Sequence, residues 1–470
     1  MVLVAVAMVG IVAMAALSVD VITLYLAKQE AQRAAEEAAL AAAKIIALSG
    51  ITGDPTNQTL NWSGICGGNL SAATLAAQAV AEQNPVSGIA TSSVTVTYAG
   101  GVSGGSITYD TDCTNLNSTA FGLNPLVTVQ LRRGNLPAFF SRIWGNPGAS
   151  VSATATAEAF NPSNSGNEGN QISGTLIPVQ PHCVKPWIVP NINPVNTTCT
   201  TTTGPPVCPP FVDTNDGSIR RQGISLNGGS STGVIGETFW LVPDCAANPS
   251  MCLIQANPPQ ANSTGSPPQP NLLYLPNQVG PTPIAVPSCS NGSGSLYYDD
   301  IVGCDQAANY QCGVKDVNIA DLSIGPNADT TDGVACLIHQ GDTTTVSAAT
   351  GQDYLNATTF AAPGAYPFQI LAGSANPIVA TGLASGTPIT ISSSVVSLPI
   401  YDNTEANVTL RNGNQANVTF VGFLQVFINA VDSNGDLLVT VLNVAGCSNN
   451  ASGTPIPGNS PLPVRLVNAP

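Results

Sequence analysis

The sequence predicts an α+β N-terminal module, built from a long hydrophobic helix and a small antiparallel sheet, followed by a mainly β, loop-rich, disulfide-bonded domain. Three observations carry this prediction. An apolar run without charge opens the chain and leads straight into an alanine-rich stretch. Short runs of β-forming residues, separated by Gly, Pro, Asn and Ser, fill most of the remaining chain. Twelve cysteines, an even number, are spread from Cys66 to Cys447.

Composition narrows the function. Only 8% of the 470 residues are charged, against about 25% in an ordinary soluble domain. With 12 basic and 27 acidic residues the net charge is −15. Nucleic acid is excluded as a partner, because its affinity comes mainly from phosphate neutralisation by Lys and Arg. The 43% apolar content excludes a highly charged disordered chain.

The helix comes first. From Val2 to Val19 only Gly10 and Ser18 are not apolar, and no charge appears before Asp20. That run is close to the roughly 20 residues a helix needs to cross a bilayer. A secretory signal peptide is the alternative, but the run exceeds a usual signal core and no basic residue precedes it. No Gly or Pro lies between Ile11 and Ser49, and alanine has the best helix propensity. Residues 1–49 therefore read as one helix, about 70 Å long. Its first half suits lipid or other apolar helices. Its second half, with Lys28, Glu30, Arg33, Glu36, Glu37 and Lys44 among alanines, suits packing on a domain or a neighbouring helix.

Small residues in the apolar half (Ala5, Ala7, Gly10, Ala13 and Ala16) allow helices to approach closely. Ala31, Ala34, Ala35, Ala38, Ala39 and Ala42 continue that pattern at helical spacing. The expectation is self-association; the alternative is a monomeric anchor whose alanine face packs on its own domain. Asp20 either pairs with an amine of a neighbouring helix or sits at the membrane interface.

Residues 50–160 are expected to hold the small sheet, with strands at 93–98, 106–109, 126–132 and 151–158 and a short aromatic helix at 136–145. Residues 161–170 form a Pro, Ser, Gly and Asn linker. Residues 161–470 form the mainly β domain with long loops. Its clearest strands are 395–400, 416–420, 423–430 and 437–444, the last two flanking the turn Asp432-Ser433-Asn434-Gly435-Asp436.

The segment Ser18-Val19-Asp20-Val21-Ile22-Thr23-Leu24-Tyr25-Leu26-Ala27-Lys28, with Ala31-Gln32-Arg33-Ala34-Ala35-Glu36-Glu37-Ala38-Ala39-Leu40, resembles the start of TadG-like proteins of the tight-adherence (Tad/Flp) pilus machinery. The family pattern is an apolar helix, an Asp, a Tyr about five residues on (here Tyr25), and an alanine-rich tail. Glu36 and Glu37 stand where the family prefers Asp and Ala. The family's charged leader is missing, which suggests a processed or trimmed start. Leu136–Gly145 with Val151–Glu158 resembles the end of that family's pilin-like module. Cys183–Trp187, Tyr298–Cys304, Val421–Ile428 and Pro463–Leu466 resemble long exported relatives. The resemblance implies a pilin-like architecture for residues 1–160 and no catalytic residues.

The cysteines Cys66, Cys113, Cys183, Cys199, Cys208, Cys245, Cys252, Cys289, Cys304, Cys312, Cys336 and Cys447 read as disulfide partners in an exported protein. Cys199 with Cys208, Cys245 with Cys252, or Cys304 with Cys312 would close short loops; sequence does not fix the connectivity. No C-x-x-C occurs, and His182 beside Cys183 is poorly placed to chelate one metal. Gly101–Gly105 and Gly229–Gly233 match G-x-S-x-G but lie in Gly-rich turns, not between strand and helix. A triad would need His182 or His339, both read as structural. Asp213–Gly217 and Asp432–Asp436 carry oxygen ligands at the spacing of a calcium loop, without the Glu at its twelfth position. No cofactor is expected, with calcium the open alternative. Asn-x-Ser/Thr sequons recur, from Asn57 to Asn450, and would matter only where the glycosylation machinery exists.

These readings point to a non-enzymatic, pilin-like surface protein of the Tad/Flp type, anchored in the inner membrane or built into a surface filament. Its expected partners are the membrane and copies of itself or other pilin-like proteins. The alternative is a membrane-anchored assembly factor or adhesin that does not polymerise.

Overall fold

The computed structural model describes residues 2–53, 62–91, 93–100, 107–117, 121–122, 125–136, 140, 148–161, 179–192, 210, 212–214, 217–219, 235–243, 271–278, 289, 296–303, 310–319, 329–344, 351–356, 369–403, 409–411, 415–447, 456–458 and 460–467. The helices are α1 (Val2–Leu48), α2 (Trp62–Cys66), α3 (Ala72–Gln83), α4 (Leu296–Val302) and α5 (Asp329–Ile338). The first strands are β1 (Ser93–Ala99), β2 (Tyr109–Asp110), β3 (Leu126–Leu136), β4 (Ala149–Ala159), β5 (Val179–Pro181), β6 (Trp187–Pro190), β7 (Thr238–Pro243), β8 (Asn271–Gln278) and β9 (Gly313–Ile319). The rest are β10 (Tyr354–Leu355), β11 (Ile370–Leu371), β12 (Pro388–Ile389), β13 (Val395–Tyr401), β14 (Thr409–Arg411), β15 (Gln415–Val431), β16 (Leu437–Gly446), β17 (Ile456–Gly458) and β18 (Val464–Val467).

The chain divides into two units: residues Met1–Ile46, Trp62–Ala159 and Val464–Pro470, and residues Ala47–Asn61 and Phe160–Pro463. In the first unit an antiparallel sheet has the order β18-β4-β3-β1-β2. On β3, Val127, Val129 and Leu131 alternate inward and are fully buried. Thr128 and Thr156 share a hydrogen bond of 2.8 Å between β3 and β4. The second half of α1 runs along β4, where Lys28 Nζ donates to the Ser152 carbonyl and Gln32 Nε2 to that of Thr154, the latter at 3.2 Å. It also meets the end of α3: Asn84 Nδ2 donates to Glu37 at 2.8 Å and the Ser87 N–H to Glu30 at 2.7 Å. Phe121 packs between Trp62 and Tyr98, beside the Cys66–Cys113 disulfide.

The strand expected at 106–109 lies at Tyr109–Asp110 instead. Leu136, expected in a short helix, ends β3; of residues 137–145 only Phe140 is described. The C-terminal strand β18 returns to the first unit's sheet and pairs antiparallel with β4, Arg465 opposite Glu158.

In the second unit the pairings β13-β6-β8-β7-β16-β15 close on themselves through β13–β15. Closure removes the exposed edges an open sheet would present. The expected strands 416–420 and 423–430 are one strand, β15, of 17 residues. Gly422 keeps it continuous, because a Cβ there would meet the Ala445 carbonyl oxygen at 2.7 Å. From Val418 to Val431 β15 does not alternate in burial, since both faces are covered. One cover is the cluster of Leu48, Ile370, Phe427 and Leu442, joined by Leu355, Ile389 and Val395. Those residues include the small sheet β10-β11-β12.

Helix α1 ends where Gly50 takes φ +80. Asn443 Nδ2, on β16, donates to the Ala47 carbonyl at 2.6 Å and so satisfies one of the last carbonyls of the helix. The second unit also contains α4 and α5, which the loop-rich expectation missed. Gly333 lies inside α5, and a Cβ there would meet Ile301 of α4 at 3.0 Å, so the glycine that weakens the helical pattern permits the helix pair.

Disulfides join Cys66 to Cys113, Cys289 to Cys336 and Cys312 to Cys447, and Cys183 is also disulfide-bonded. The short loop from Cys304 to Cys312 is therefore not closed by a disulfide, because pairing of β9 with β15 carries Cys312 toward the end of β16. Cys199, Cys208, Cys245, Cys252 and Cys304 lie outside the described residues.

Candidate functional site

The helix α1 changes character along its length. Leu3, Met8, Val9, Ile11, Val12 and Met14 are all more than 60% exposed, and these positions surround the helix. Ala7 and Gly10 are exposed among them, with nothing within 4 Å of a Cβ built on Gly10. Only the backbone of Ala5 is described, so its side chain lies outside the described residues. Ala13 is half-buried and Ala16 buried. From there a buried stripe follows helical spacing through Asp20, Ala27, Ala31, Ala34, Ala35, Ala38, Ala39 and Ala42. Tyr25 points outward, 61% exposed.

The two halves therefore do different work. The alanines of that stripe from Ala27 to Ala42, at 1% exposure or less, already pack within the first unit. They need no neighbouring helix and so give no support to self-association. Up to Val12 the described side chains are exposed and uncharged, and the helix is long and apolar enough to cross a membrane.

Asp20 is 6% exposed, and its Oδ2 accepts a hydrogen bond from the backbone N–H of Phe140 at 3.1 Å. This partner belongs to the same chain, not to a neighbouring helix. Sequence reasoning missed it because it lies 120 residues away.

The other candidates resolve into structure. Both G-x-S-x-G segments lie outside the described residues. His339 ends α5 in the left-handed region at φ +62, its N–H donating to the Cys336 carbonyl at 3.2 Å. Burial lowers its pKa, with Asp353 opposing. His182 is half-buried beside the disulfide-bonded Cys183. Asp432 Oδ1 accepts the N–H groups of Asn434 at 2.8 Å and Asp436 at 2.9 Å, which is turn chemistry. Of the Asp213 loop, Asn215 and Asp216 are outside the described residues.

Two separately noted sequence patches meet in the fold. Lys185 Nζ donates to the carbonyls of Ile301 at 2.6 Å and Gly303 at 2.8 Å, at the end of α4. Trp187 Nε1 donates to Tyr297 Oη at 3.0 Å. Burial lowers the Lys185 pKa to about 8, with Asp300 opposing, and raises that of Tyr297 to about 12.

No curated protein and no solved structure matches the chain. Residues 1–44 match the family model described as Flp pilus-assembly TadE/G-like. The segment matched is the one whose first half is bare and whose second half is clad by the first unit. The N-terminal helix is thus similar to the N-terminal segment of TadE/G-like Flp pilus-assembly proteins.

Proposed function

We propose that this chain is a structural, pilin-like protein of the Tad/Flp type, held in a membrane by the first half of α1 and able to pass into a filament through it. The observation that carries the reading is the contrast within one continuous helix. Its last turns are built into folded units, whereas its first turns offer exposed apolar side chains all round among the described residues. Lipid and the apolar helices of other subunits are the two surroundings that satisfy such a helix. The reading assigns the chain no catalytic step and no cofactor. It places the folded units outside the cytoplasm, where disulfides persist.

Self-association is tested with Ala7→Phe combined with Gly10→Phe. Both sites are exposed, so the units should stay folded while close helix approach is blocked. Surface filaments that contain the parent chain as a main component, and that the double variant does not form, support a filament subunit. If the variant assembles as well as the parent, close approach at this helix is not the assembly contact; if the chain is absent from filaments, the protein is a membrane-anchored assembly factor or adhesin.

A further inference from the structure

We infer that the first unit touches the bilayer a second time, through Phe140, beside the point where α1 leaves the hydrocarbon. This rests on the membrane reading of α1 and adds a contact that the helix alone does not supply. From Leu3 to Ile22 the helix rises about 30 Å, which matches a bilayer's hydrocarbon core. Asp20 then falls in the last turn of the spanning stretch, where a bare carboxylate is costly. It is not bare: it is 6% exposed and accepts the Phe140 N–H at 3.1 Å.

That donor comes from the folded unit, so Phe140 itself lies at the depth of Asp20. Yet the Phe140 side chain is not buried in the unit; it is 37% exposed. Tyr25, 61% exposed, follows Asp20 by little more than one turn. Two outward aromatic side chains at the level where a helix meets water form the arrangement that interfacial residues adopt. Exposed charged residues begin immediately beyond, at Lys28 and Glu30. A lipid surface is therefore the partner of Phe140.

The test uses the full chain in vesicles of phosphatidylethanolamine and phosphatidylglycerol. The photo-reactive p-benzoyl-phenylalanine replaces Phe140, Val12 or Leu70 in turn, and phospholipid adducts are read by mass. Leu70 is the water-facing control. It is 86% exposed and precedes α3, whose opposite end meets Glu30 and Glu37 of α1. Leu70 thus lies at the other end of α3, about 20 Å along that helix from its contact with α1. Adducts at 12 and 140, several-fold above those at 70, are expected. An adduct at 12 without one at 140 overturns the second contact and leaves the anchor standing. No adduct at 12 overturns the membrane reading itself. Equal yields at 70 and 140 also overturn the inference.

Discussion

Asp432 and Asp436 share one turn and have opposite environments. Asp432 spends its carboxylate on the turn's own N–H groups. Asp436 is 2% exposed, and its Oδ2 has no partner among the described residues. Burial first, then the charge of Asp432, raises the Asp436 pKa from 3.8 to about 7. A carboxyl raised in the folded state holds its proton there after the unfolded chain has released it. Its contribution is therefore fully present below about pH 4 and is lost as pH rises through about 7. Asp436→Asn should flatten that part of the stability–pH profile and raise the melting temperature at pH 8 relative to the parent. Thermal unfolding between pH 4 and 8 checks this; parallel profiles would contradict it. Lys185 poses the reverse case, a buried amine that the end of α4 requires. Lys185→Met keeps the stem but strands two carbonyls, and should cost about 1–3 kcal/mol. Denaturant titration of the two proteins measures the difference.

At the scale of elements, α1 makes the sharpest contrast. Ala35 and Ala38 are fully buried, so Ala38→Leu overpacks the first unit and should cost about 1–3 kcal/mol. Val12→Leu, on the bare half, should leave stability unchanged. Unfolding midpoints of both variants in the same detergent decide; equal midpoints would show that the second half is not clad as described. The helix was legible in sequence because propensity and the lack of Gly or Pro are local signals. The long strand β15 was not, because Gly422 and the turn-like Val421-Gly422 look like a break. Its continuity depends on Ala445, whose backbone approaches too closely for any side chain.

Closure acts at the scale of the molecule. The Cys312–Cys447 bridge spans 135 residues and the Cys289–Cys336 bridge 47. In the chain-entropy account such links contribute about 4 to 5 kcal/mol each. Reductant should therefore lower the unfolding temperature markedly and make the second unit sensitive to protease. An unchanged temperature after verified reduction would refute this. Strand β18 covers the edge of β4 in the first unit's sheet, with Arg465 Nε 2.8 Å from the nearly buried Glu158. Removing residues 464–470 should uncover the edge of β4 and promote association at that edge. Light scattering of the truncated and full chains tests it.

The sequence by itself determined the apolar half of α1, its continuation into an alanine stripe, the mainly β remainder and the disulfide-rich character. These follow from charge, propensity and composition, which act between residues close in the chain. Tertiary structure decided which half of α1 is covered, because the alanine pattern fits a neighbouring helix and the chain's own unit equally well. It brought the Phe140 N–H to Asp20, Cys447 to Cys312 and Arg465 to Glu158, across separations of 120, 135 and 307 residues. Such pairings depend on how strands are ordered in a sheet, and that order is set by the packing of the whole core rather than by any local run of residues.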